Sequence, residues 1–121
     1  MKKSKFRKWL DNLGKAWVEK DPDLATSIFS KSGTYQSTPF GKPMRGRKQI
    51  RNYWQSGVDT QDDIKFDYEI ITAKGDSCVA HAWGSLKQDG KPQKWDGIFW
   101  VTLNSLGLCT SFREWWHSEN V

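Results

Sequence analysis

The stretch Ser77–His117 limits the fold more than any other part of the chain. Asp89-Gly90 separates two strand-like runs, Ser77–Gln88 and Lys91–Leu103. That dipeptide between two such runs is a strong hairpin signal, because both central residues of the turn need positive φ. A second turn, Asn104-Ser105-Leu106-Gly107, leads into a third run ending at His117. Gly107 can take the left-handed conformation such a turn requires. With two-residue loops and no bulge, counting outward from the turns predicts the rows Gly84–Trp95–Trp116, Ala82–Gly97–Glu114 and Ala80–Phe99–Phe112 on one face. The other face would carry Trp83–Asp96–Trp115, His81–Ile98–Arg113 and Val79–Trp100–Ser111. One bulge would exchange part of the faces and turn His81, Asp96 and Arg113 inward instead.

The first face has a hole in it. Gly84, Ala82, Ala80 and Gly97 carry almost no side chain, while Trp95, Phe99, Phe112 and Trp116 stand around them. Small residues beside large rings leave concave space, and ligand pockets are built this way, apolar with a few placed polar groups. Glu114 is expected in the wall of that space, where burial would raise its pKa and suit it to acid–base work. The plainer expectation is a structural carboxylate bonded to Tyr53, Gln36 or a helix Lys or Arg, in a volume that helix side chains fill. The second face, with Trp83, Ile98, Trp100, Trp115 and Arg113, is too apolar to leave wet and is expected to be a homodimer interface.

The rest of the chain reads as helices to cover the sheet. Phe6, Trp9, Leu10, Leu13, Ala16 and Trp17 recur at helical steps and predict an amphipathic helix over Lys5–Lys20. Gly14 interrupts it, which a close approach by a neighbour or ligand would explain. Asp21-Pro22 has the form of an N-cap with Pro at the first helical position, opening a short helix through Phe29. Thr34–Thr38 is a short strand, and Pro39–Pro43 a rigid loop. Gly46–Ser56 is a third helix with Ile50, Tyr53 and Trp54 on its apolar side, and Gly57 ends it. Asp59–Asp63 reads as polar loop, and Ile64–Ala73 as the first strand of the main sheet. Helices followed by a run of antiparallel strands indicate an α+β fold: a curved, mostly antiparallel sheet wrapped around helices, a cone with a central pocket.

Composition narrows the class further. A chain of 121 residues suits a single domain, 1–121, and with eight Trp a few large rings carry much of the burial. No apolar run is long enough to span a bilayer, and the basic start Met1–Lys5 lacks the apolar segment of a secretory leader, so a cytoplasmic location is expected. Cys78 and Cys109 have no metal-type spacing and are expected as reduced, buried thiols. The net charge of +5 gathers in Lys2/Lys3/Lys5/Arg7/Lys8 and Lys42/Arg45/Arg47/Lys48/Arg51. Basic clusters beside aromatics can suit single-stranded nucleic acid, but here the Trp residues fall on core-type positions. Nucleic acid is therefore not an expected partner. His81 and His117 form no metal set, and no metal or cofactor is expected.

Two segments, GTYQSTPFGKPMRGRKQIRNYW over Gly33–Trp54 and DGIFWVTLNSLGLCTSFREWWH over Asp96–His117, resemble the nuclear transport factor 2-like superfamily, and within it the SnoaL-like branch. The resemblance runs from Phe6 to His117 and implies the cone-shaped fold. It does not select a reaction, because that fold hosts isomerases, dehydratases, cyclases, epoxide hydrolases and binders. Alignment through Thr38–Gly41 puts the ketosteroid isomerase branch's general-base Asp on Thr38, its oxyanion Tyr on Gly14 and its second oxyanion residue, an Asp, on Phe99. That route of proton abstraction is therefore not implied. The same alignment places Phe112, Glu114 and Trp116 facing inward.

These readings converge on a small pocket protein binding an apolar or aromatic ligand, as a homodimer. The residues expected to meet the ligand are Trp17, Gln36, Thr38, Tyr53, Trp54, Trp95, Gly97, Phe99, Phe112 and Trp116, with Glu114 as the catalytic candidate. The alternatives are a cofactor-independent lyase, isomerase or hydrolase using Glu114 as acid or base, and a non-catalytic protein interaction module.

Overall fold

A computed structural model describes residues 2–121; Met1, at the head of the basic run, lies outside the described residues. The elements follow as α1 (Lys2–Val18), α2 (Pro22–Ser27), β1 (Phe29–Gln36), β2 (Met44–Arg45), α3 (Gly46–Val58), β3 (Gln61–Lys74), β4 (Ser77–Gln88), β5 (Lys91–Leu103) and β6 (Cys109–Asn120). The strands form one six-stranded sheet in the order β2-β1-β6-β5-β4-β3. Every neighbouring pair is antiparallel except β1 and β6, which run parallel. The architecture is α+β, a curved sheet with helices against its inner face. No described helix is long and apolar enough to cross a membrane.

Helix α1 forms for the reason its periodicity predicts. Phe6, Trp9, Leu10, Leu13 and Ala16 are all buried on one stripe. Gly14 lies where the helix meets β3: a Cβ there would come within 2.5 Å of the Phe66 ring. Trp9 Nε1 donates to the carbonyl of Ile28 at 2.8 Å, tying α1 to the segment that follows α2. The start of α2 is capped as expected, with Asp21 Oδ1 accepting from the backbone N–H groups of Asp23 and Leu24, each at 3.1 Å.

The second helix is shorter than its pattern suggested. It stops at Ser27, and Phe29 instead begins β1, pairing with Cys109 of β6. Phe29 is fully buried against Trp9, Tyr35 and Phe112. A distant sheet partner thus overrides a short helical pattern. The expected strand Thr34–Thr38 accordingly ends at Gln36. The expected loop after it contains the two-residue strand β2, and α3 runs one residue past Gly57. The expected loop Asp59–Asp63 is partly strand, with a register shift between Asp62 and Lys65 and positive φ at Asp63.

The hairpin of β4 and β5 has the counted register, Ala80↔Phe99, Ala82↔Gly97 and Gly84↔Trp95. Its turn residues Asp89 and Gly90 have φ of 51° and 80°. Between β5 and β6 the count fails. Gly97 faces Trp116 and Phe99 faces Glu114, so β6 has slipped by two residues relative to the predicted rows. Two features produce the slip. Asn104 spans a longer loop, its N–H donating to Leu108 O and its Oδ1 accepting from Leu106 and Leu108 N–H. A bulge then shifts the register beside Leu103. An even slip leaves every side chain on its predicted face. Phe112 and Glu114 therefore still point inward, in rows other than those counted.

Candidate functional site

The inner face encloses a cavity of about 80 Å³. α1 supplies Leu13 and Trp17, β1 supplies Tyr35, and α3 supplies Tyr53, Trp54, Gly57 and Val58. Gln61 comes from β3, Trp95 and Phe99 from β5, and Phe112, Glu114 and Trp116 from β6. The half-exposed rings of Tyr53 and Trp116 mark the open side, whereas Trp95, Phe99 and Phe112 form the buried floor. Trp17 Nε1 donates to Gln61 Oε1 at 2.7 Å and so fixes α1 to β3 beside the opening.

Glu114 supplies the carboxyl of this lining, and it is 9% exposed. Its position follows from strand pairing. Tyr35 lies opposite Phe112 across the parallel β1–β6 pair, and Glu114 is the next inward residue along β6. The Tyr35 hydroxyl therefore reaches the carboxyl and donates to Glu114 Oε1 at 3.1 Å. Burial pushes the Glu114 carboxyl up to about 8, against the lowering effect of that hydrogen bond. Burial also raises Tyr35 well above its ordinary value, with the nearby Glu114 charge adding to it. Tyr53 is raised for the same two reasons, opposed by a hydrogen bond to Ser37. At neutral pH the cavity wall thus holds a protonated carboxylic acid, which can donate as well as accept a hydrogen bond.

Two lining residues carry a second polar feature. The indole N–H groups of Trp54 and Trp95 are buried and have no hydrogen-bond partner among the described residues.

Of the residues expected to meet a ligand, Trp17, Tyr53, Trp54, Trp95, Phe99, Phe112, Trp116 and Glu114 line this cavity. Three do not. Gly97 is buried, but a Cβ on it would lie 2.7 Å from Trp116 Cβ and 2.8 Å from the Trp115 carbonyl. Its small size makes room for β6 rather than for a ligand. Gln36 donates to the carbonyls of Pro39 and Gly41, holding the loop after β1. Thr38 is exposed in that loop because the strand ends before it. The partner of Glu114 is Tyr35 rather than Tyr53, Gln36 or a basic side chain. Sequence reasoning missed Tyr35. Its β-favouring neighbours marked the strand, but nothing local indicated a parallel partner so distant in the chain.

The outer face carries the expected set in a corrected arrangement. His81–Ile98–Trp115 and Val79–Trp100–Arg113 are its rows. His81 is held between two acids, Nδ1 against Glu69 Oε2 at 3.0 Å and Nε2 against Asp96 Oδ2 at 2.9 Å. Hydrogen bonds to Glu69 and then Asp96 raise its pKa. Arg113 stands apart from them, its guanidinium over the Trp115 and Trp100 rings at 4.8 and 5.6 Å. None of His81, Asp96 or Arg113 turns into the cavity. Cys78 and Cys109 are buried free thiols.

Residues 6–112 match the SnoaL-like domain family. The chain belongs to that family. No curated protein sequence matches it. Among solved structures, this SnoaL-like protein is similar to a proposed isomerase from Bacillus subtilis, at 16% identity over 97% of this chain and 89% of the other, with a TM-score of 0.86. It is similar to the epoxide hydrolase/cyclase-like enzyme SalBIII of pyran ring formation in salinomycin, at 16% identity over 98% of both chains and a TM-score of 0.85. It is also similar to a protein with a ketosteroid isomerase-like fold from Catenulispora acidiphila in complex with trimethylamine, at 19% identity over 88% of this chain and 83% of the other, with a TM-score of 0.78. Likeness at these identities speaks for the fold, one that serves ligand-binding and enzymatic proteins alike.

Proposed function

We propose that this SnoaL-like protein binds a small, mostly apolar molecule in the inner cavity, with Glu114 as the polar contact. The observation that carries the reading is a single buried carboxyl in the wall of a mostly aromatic and aliphatic cavity. The volume, about 80 Å³, bounds the ligand. One water needs ~10–15 Å³ by this measure, whereas drug-sized ligands occupy sites of ~300–1,000 Å³. A ligand of a few heavy atoms fits as the site stands, and a longer one would extend past Tyr53 and Trp116. The trimethylamine complex of the Catenulispora acidiphila protein is a precedent for so small a ligand on this fold.

Gly57 offers a direct test. It lines the cavity, and a Cβ on it meets nothing within 4 Å. Gly57→Leu therefore meets no clash at its Cβ and adds bulk beside the cavity, and its helix propensity is better by up to ~1 kcal/mol. Ligand-detected NMR with small aromatic and alicyclic fragments should show binding to the wild type and its loss in Gly57→Leu, with the melting temperature held or raised. Equal binding by both proteins, or no binding by the wild type, would overturn the reading.

A second reading adds turnover. Glu114, with its pKa near 8, is poised to exchange a proton near neutral pH, as a cofactor-independent lyase, isomerase or hydrolase requires. In that case Glu114→Gln should abolish conversion of a bound substrate while leaving its affinity within about tenfold.

A further inference from the structure

The cavity pairs a carboxyl with no cation. Among the described residues its lining contains no Lys, Arg or His, although the chain has 19 Lys and Arg against 14 Asp and Glu. Among the described residues the Lys and Arg ion pairs, Lys20 with Asp62, Arg51 with Asp23 and Lys94 with Glu119, lie outside this lining. A carboxylate has about four acceptor sites, and among the described residues the side-chain hydrogen bond to the Glu114 carboxyl comes from Tyr35. Buried acids are rare unless paired.

The walls around this carboxyl are rings. Neighbours are tilted rather than stacked, Trp17 and Trp95 by 44°, Tyr35 and Tyr53 by 48°, and Phe99 and Phe112 by 59°. All six of these rings line the cavity and make it an aromatic cage, and ring faces are electronegative. Such cages attract methylated and alkylated ammonium groups, whose apolar methyls pack while the charge meets the π faces. An anion would meet both the ring faces and the carboxylate unfavourably. A neutral hydrocarbon would make no use of the carboxyl.

We infer that the preferred ligand is a small organic cation with an alkylated ammonium head, seated among these rings with its charge against Glu114. The inference rests on the cavity being the small-molecule site, and it names the class of that molecule. It has a consequence for protons. The titratable groups that face Glu114 are Tyr35 from β1 and Tyr53 from α3, both raised above their ordinary range and so neutral well past pH 8. The other elements contribute Leu13 and Trp17 from α1, Gln61 from β3, and Trp95 and Phe99 from β5, none of which titrates. Glu114 holds a proton up to about pH 8 in the empty site. A bound cation favours the carboxylate, so binding at neutral pH expels that proton. Affinity should rise with the ionised fraction, about fiftyfold between pH 6 and pH 8, and then level off.

Choline and 3,3-dimethyl-1-butanol test this directly, since they share a shape and differ in the charged nitrogen. Choline is permanently charged, so any pH dependence belongs to the protein. Isothermal titration calorimetry on the wild type should show choline binding more tightly than the alcohol at pH 8, and weakening about fiftyfold at pH 6. Paired buffers of different ionisation enthalpy at pH 7 should register close to one proton released per choline bound. Glu114→Gln should bind choline no better than the alcohol, with no pH dependence. Equal affinity for the two compounds at pH 8 would overturn the cationic class while leaving the cavity a small-molecule site, and choline affinity unchanged from pH 6 to pH 8 would overturn the coupling of binding to the Glu114 proton. Failure of folded wild type to bind either compound, or the fragments tested against Gly57→Leu, would overturn both.

Discussion

Replacing Glu114 by Gln should change how folding stability depends on pH, and the size of the effect follows from burial. The carboxyl moves from an ordinary 4.5 to about 8 on folding. The folded state therefore keeps a proton that the unfolded chain loses. A raised pKa contributes stability that is whole below pH 4.5, falls as pH rises, and is lost above about 8. At about 1.36 kcal/mol per pKa unit, the loss across that window is about 5 kcal/mol. That is a large share of the ~5–15 kcal/mol that holds a typical domain folded. Gln keeps the shape and the acceptor for Tyr35 but has no proton to lose. The stability of Glu114→Gln relative to wild type should thus climb by about 5 kcal/mol between pH 4.5 and pH 8 and then stay level. Urea unfolding in half-unit pH steps, with unchanged m-values, measures the difference. The raised pKa of His81 is common to both proteins and cancels, while Tyr35, Tyr53, Cys78 and Cys109 are raised above the window. A difference that stays constant to within about 1 kcal/mol from pH 4.5 to pH 8 would refute the buried, neutral carboxyl.

Three further outcomes are expected. Tyr35→Phe removes the donor that holds the Glu114 pKa down, so that pKa should rise above its wild-type value, at a cost of about 1 kcal/mol in stability. Gly14→Ala should lower the melting temperature despite a gain in helix propensity of ~1 kcal/mol, because its Cβ would overlap the Phe66 ring and overpacking costs ~1–3 kcal/mol; an unchanged or raised melting temperature would show that the ring moves freely. If the outer sheet face seats a second copy, sedimentation should give a dimer for wild type and a monomer for Trp100→Glu, whose ring is 43% exposed beside Arg113; a wild-type monomer at micromolar concentration would rule this out.

What the sequence disclosed depended on whether the determining contact was local. The β4–β5 register was readable because Asp89-Gly90 fixes a two-residue turn, and counting from it needs no distant information. The β5–β6 register was not, because the Asn104 loop and the bulge near Leu103 each add to the count. The inward direction of Glu114 survived only because the slip was even. Gln36 and Thr38 miss the cavity because the strand ends at Gln36 and the chain turns away into the following loop, an end that the β-favouring run through Thr38 does not signal. Tyr35, which holds the carboxyl, is brought there by parallel pairing of β1 with the last strand, and no pattern near Tyr35 signals that neighbour. Gly14 was legible as an anomaly, and Phe66 supplied its cause.

The protonation of Glu114 in the folded protein is the point on which the turnover reading and the release of a proton on cation binding both turn. The ¹³C chemical shift of its side-chain carboxyl, followed by NMR from pH 4 to pH 10 and assigned with Glu114→Gln, reports it directly. The account predicts a titration near pH 8 in the empty protein, moving to lower pH when choline is added. A carboxyl that titrates near 4.5, with or without choline, would contradict it.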